Sequence, residues 1–90
     1  MDIAGVLTVP GATSQFAVIL VDRRSGARTV LWHRHAGLCM TPADVPPEAV
    51  EAARVLAVDC HETAAVTAAA ETARRCGTRT VIDVEQVRPG

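Results

Sequence analysis

Hydrophobic residues follow one another without a polar break from Phe16 to Val21, and the wider segment Ser14 to Val21 is rich in β-branched and large apolar side chains. Turn-forming residues occupy Asp22 to Ala27, and a second run, Arg28-Thr-Val-Leu-Trp-His-Arg34, follows them. Two such runs around a polar, glycine-containing turn predict a β-hairpin. Side chains alternate along a strand, so Phe16, Val18 and Leu20 face one way and Ala17, Ile19 and Val21 the other. Both faces are apolar, and a two-stranded hairpin cannot cover either of them by itself. Another segment or a second subunit is expected to lie against it.

The period changes after a proline-interrupted connection from Ala36 to Pro47. Glu48 to Ala53 reads as a short helix with Pro47 at its start, where the missing proline N–H costs nothing. Arg54-Val-Leu-Ala-Val-Asp59 is a short apolar run ending in a carboxylate, the pattern of a buried parallel strand whose carboxyl end meets a ligand. Glu62 to Cys76 has helical period, with Val66, Ala69, Ala70, Ala73 and Cys76 on the expected apolar stripe and Thr67, Glu71, Arg74 and Arg75 opposite. A Glu71–Arg75 pair at i,i+4 is expected on the wet face. Gly77 ends the helix, and Thr80-Val-Ile-Asp83 repeats the apolar run closed by a carboxylate. Strand, helix and strand in this order imply a right-handed parallel crossover with Asp59 and Asp83 on the same rim.

The fold class expected is therefore α/β, with residues 1–41 forming a hairpin and hinge segment and residues 42–90 a β-α-β portion. A two-stranded parallel sheet is not a complete domain, so the chain reads as a piece of a larger one. Its 90 residues bury a small share of their surface, and alanine makes up much of its apolar fraction of 49%, with Phe16 and Trp32 the aromatic residues. A thin stability margin follows.

Charge narrows the function classes. A formal net charge of −1 supplies no field to draw in a polyanion, which argues against a nucleic-acid partner. Met1-Asp2 offers no positive region of a signal peptide, and Phe16 to Val21 is too short to span a bilayer, which argues against a membrane partner. Cys39, Cys60 and Cys76 are odd in number and widely spaced, which fits reduced thiols and a cytoplasmic setting.

On the residues alone, Asp59 and Asp83 read first as caps of the turns that follow them, with ligand-binding carboxylates as the alternative. Arg28 is either a ligand contact or a solvated hairpin residue paired across the strands. Glu85 reads as a charge on a surface loop. Cys60 is either a small buried hydrophobe or a reactive thiol. His33 and His35, spaced to share one strand face, join Cys39, Cys60 and His61 as a conceivable metal set, although the cysteines lack compact ligand spacing.

Pro10 to Asp22, Ser25 to Leu31, Arg54 to Asp59, Ala73 to Gly77 and Val81 to Glu85, taken in order and spacing, resemble the interior of ribokinase-like (PfkB family) carbohydrate kinases, ketohexokinase-like in style. The resemblance spans most of this chain and a minor internal portion of the family's length. It implies an α/β sandwich bearing a β-sheet lid over the sugar, with lids packing together into a homodimer in several members. It also implies that Asp59 and Arg28 contact the sugar, that Asp83 and Glu85 lie near the phosphate and magnesium region, and that ATP and Mg2+ serve the parent enzyme. The family's glycine-rich anion hole with its catalytic aspartate, its Asn-x-x-Glu segment and its early Gly-Gly motif have no counterpart in these 90 residues. Positioned phosphates, metal charge and a base are what phosphoryl transfer requires, so no residue here is expected to be catalytic.

The leading expectation is a fragment of an ATP-dependent carbohydrate kinase that supplies lid and sugar-pocket wall. A non-catalytic α/β module dimerising through its hairpin is the alternative, and a small metal-binding protein is the third.

Overall fold

A computed structural model describes residues 1–84, and the chain divides into two compact units, Met1–Leu38 and Cys39–Gly90. The first unit is built around an antiparallel hairpin of β1 (Phe16–Val21) and β2 (Arg28–His33), in register from Phe16 opposite His33 to Val21 opposite Arg28. Its loop explains the register. The Asp22 carboxylate accepts the backbone N–H groups of Arg24 at 2.7 Å and Ser25 at 3.3 Å. Asp22 N–H reaches the Ala27 carbonyl at 2.8 Å, and Gly26 turns the chain at φ +75°, a left-handed conformation that glycine adopts without a Cβ clash. At the open end, the Arg34 guanidinium donates to Gln15 Oε1 and to the Leu38 carbonyl, each at 2.8 Å. That fork ties the exit of β2 to the entry of β1.

Directly paired residues of an antiparallel ladder share a face. One face of the hairpin thus carries Phe16, Val18, Leu20, Thr29, Leu31 and His33, and the other Ala17, Ile19, Val21, Arg28, Val30 and Trp32. Every residue of both strands is exposed, Phe16 at 57% and Trp32 at 58%. Both faces are predominantly apolar, as the alternation predicts.

The second unit opens on a 3-10 turn, Pro42–Asp44, where the Asp44 carboxylate accepts the N–H and the hydroxyl of Thr41 at 2.7 and 3.0 Å. The short helix α1 (Pro47–Ala52) follows, then β3 (Val55–Val58), α2 (Thr63–Cys76) and β4 (Arg79–Ile82). β3 and β4 pair in parallel, Val55 opposite Arg79 through Val58 opposite Ile82, with α2 as the crossover between them. This is the β-α-β unit that the two apolar runs predict, and the chain is a small α/β protein with an antiparallel hairpin beside it in the sequence.

The core of this unit is built from small residues. Val50 of α1 packs with Ala69 and Ala73 of α2, and half-buried Val45 and Leu56 close around them. Alanine on the inner face lets α2 lie close to its neighbours, and Ala73 loses all its exposure. The buried stripe is Ala65, Ala69, Thr72 and Ala73, not the Val66 to Cys76 stripe expected from the sequence. Val66 and Ala70 are half-buried and Cys76 is exposed. Thr72 takes an inner position because its hydroxyl donates back to the Ala68 carbonyl at 3.1 Å, which removes the cost of burying a polar group. Arg75 donates to this same hydroxyl at 3.3 Å, and the expected Glu71–Arg75 pair does not form among the described residues.

Gly77 closes α2 in the left-handed conformation at φ +81°, its N–H capping the Ala73 carbonyl. Thr78 then fastens the two helix ends together. Its hydroxyl donates to the Val50 carbonyl at 2.9 Å and lies 3.2 Å from the Cys76 sulfur.

Candidate functional site

The carboxyl ends of β3 and β4 place Asp59 and Asp83 side by side. Val58 pairs with Ile82, so the next residue of each strand falls at the same level of the rim, and the Asp83 N–H extends the ladder to the Val58 carbonyl at 2.9 Å. A strand end of this kind holds a side chain at a fixed place, unlike a free loop. Both carboxylates are exposed. Asp59 Oδ1 accepts the His61 N–H at 3.0 Å, which shapes the turn into α2. The turn role and the binding role are therefore compatible, since a carboxylate has acceptor capacity beyond one hydrogen bond. Cys60, His61 and Glu62 complete the turn and are half-buried.

Arg28 begins β2 in the first unit, exposed and opposite Val21. Solvated and paired across the strands with an apolar neighbour, it fits the plain hairpin reading of this residue. Glu85 lies outside the described residues. The structure thus joins Asp59 with Asp83 and keeps Arg28 in a separate unit.

The histidines and cysteines do not converge. β2 ends at His33, whose ring lies 5.7 Å from that of Phe16. His35 sits beyond the strand in a turn, where its Nδ1 accepts the Gly37 N–H at 2.9 Å. The two imidazoles therefore do not share one strand face as their spacing suggested. Among the described residues no group of three or more histidine, cysteine, aspartate or glutamate side chains is placed to hold a metal ion.

Concavities lie elsewhere. An open groove of about 490 Å³ is lined by Glu51, Arg54, Cys76, Thr78 and Arg79 at the amino ends of β3 and β4, opposite the aspartate rim. A shallow apolar hollow of about 450 Å³ on the hairpin is lined by Phe16, Val18, Val30, Leu31, Trp32 and His33. Sequence reading placed no site at the groove. An arginine stands before each strand core, Arg54 and Arg79, and this signal went unread.

Two carboxylates elsewhere have altered acidity. Backbone N–H groups of Arg24 and Ser25 hold Asp22 below its ordinary pKa, and the N–H and hydroxyl of Thr41 do the same for Asp44. Both serve turns. No described helix is long and apolar enough to cross a membrane. No family model, curated protein or solved structure matches this sequence.

Proposed function

We propose that this chain is a piece of an ATP-dependent carbohydrate kinase of the ribokinase-like (PfkB) type, in which the hairpin acts as lid and the aspartate rim as one wall of the sugar pocket. The observation that carries this reading is the adjacency of Asp59 and Asp83 at the carboxyl rim of a parallel β-α-β unit, the end where open α/β sheets take their ligands. The order and spacing of the sequence segments support it as well. Neighbouring sugar hydroxyls would donate to Asp59, and Arg28 would donate to a sugar oxygen from the lid.

In this reading the parent would transfer the γ-phosphoryl group of ATP to a sugar hydroxyl, with ADP leaving and the hydroxyl proton passing to a base elsewhere in the parent, and Mg2+ would supply positive charge for the phosphates. Asp83 and Glu85 are this chain's contribution toward that region, and a carboxylate is a fitting magnesium ligand. The phosphate cradle and the base belong to other parts of the parent, so the chain alone has no kinase activity in this reading. Its setting is cytoplasmic, its partner is a sugar or sugar-like substrate, and neither nucleic acid nor membrane is a partner.

Translation of the coding DNA on both sides of these 90 codons tests the assignment. An upstream Gly-Gly motif and a downstream Gly-Ala-Gly-Asp in continuous frame are expected, and a stop codon directly after Gly90 would overturn it. In the parent, Asp59→Asn should raise KM for the sugar about 10- to 100-fold, the equivalent of ~1.5–3 kcal/mol for a hydrogen bond to a charged group. An unchanged KM would remove Asp59 from the sugar site.

The exposed hairpin favours a second reading, a non-catalytic module that forms a homodimer through β1 and β2. Sedimentation of the 90-residue chain tests this second reading. A stable dimer that Leu31→Lys dissolves supports the module, and a monomer at all concentrations excludes it.

A further inference from the structure

We draw no further inference here: the strongest candidate, the open groove that Glu51, Arg54, Cys76, Thr78 and Arg79 line at the amino ends of β3 and β4, offers surface guanidinium groups and a lone cysteine with no second observation that marks a ligand.

Discussion

The hairpin and the β-α-β unit are both rich in apolar residues, yet the first buries none of its strand residues and the second buries Val50, Ala65, Ala69, Thr72 and Ala73. Connection geometry accounts for the difference. Antiparallel strands join through a short loop, and here Asp22 to Ala27 brings no covering layer. Parallel strands need a crossover, and the crossover is itself a helix that lies on the sheet. The β-α-β unit therefore carries its own cover on one side. Leu56 and Val58 are half-buried beneath α2, while Val55 and Val81 on the other face stay exposed. Apolar content alone does not make a core; a second layer does.

Overpacking should expose this contrast most strongly. Ala73 has no exposed surface and touches the centre of the core, so Ala73→Phe should cost about 1–3 kcal/mol, a large part of a thin margin. Ala17→Phe adds the same bulk at an exposed hairpin position and should stay within about 0.5 kcal/mol. Urea unfolding followed by helix circular dichroism measures both. Equal losses at the two sites would mean that the hairpin is covered.

Backbone strain gives a smaller and more even effect. Gly77 and Gly26 both have positive φ, and a Cβ at either position would meet nothing within 4 Å. Valine at each should therefore cost roughly 1–2 kcal/mol of backbone strain. The consequences should separate by unit. Gly77→Val should speed amide exchange through the last turn of α2, and Gly26→Val should do so only around the hairpin loop. Spread of either effect into the other unit would show that the units unfold together.

Removal of one hydrogen bond is smaller again. Thr78→Val deletes the 2.9 Å bond to the Val50 carbonyl and should cost about 0.5–1.5 kcal/mol. Faster exchange should appear in α1, which contributes a single buried residue and has little else to hold it. Unchanged exchange there would mean that core packing of Val50 alone anchors the helix.

Much of this architecture is legible in the sequence because it rests on local rules. The hairpin loop follows from Asp22 and Gly26, the end of α2 from Gly77, and the shared rim from two apolar runs that each end in aspartate. What escaped depends on contacts that periodicity cannot see. Thr72 is polar by composition and buried by virtue of a hydrogen bond to Ala68 of its own helix. His33 and His35 have strand spacing, but the strand stops between them and a turn around Gly37 takes His35 away. Thr78 fastens two helix ends together, a contact with Val50 across 28 residues that no local pattern announces. The aspartate rim was legible as geometry, whereas its chemistry rests on family resemblance, since strand ends with aspartate also serve turns, as Asp59 does for His61.

Acid should produce the smallest effect and the finest separation of the two units. Asp22 and Asp44 both have depressed pKa values in the folded chain because each carboxylate accepts local hydrogen-bond donors. A carboxylate whose folded pKa lies below its unfolded value near 4 stabilises the fold above that value, and the contribution is lost as pH falls through the lower folded pKa. Both turns should therefore weaken below about pH 4. The hairpin has no core behind its loop, so protonation of Asp22 should free the Arg24 and Ser25 amides. The turn held by Asp44 precedes an element that packs on α2, and Val45 beside it joins the core, so helix signals should persist at the same pH. Amide chemical shifts followed from pH 6 to pH 2 should show the loop responding first, and Asp22→Ala should abolish that early response. Simultaneous loss of loop and helix signals would refute the separation, because it would mean that the exposed hairpin and the alanine-lined core share one cooperative transition.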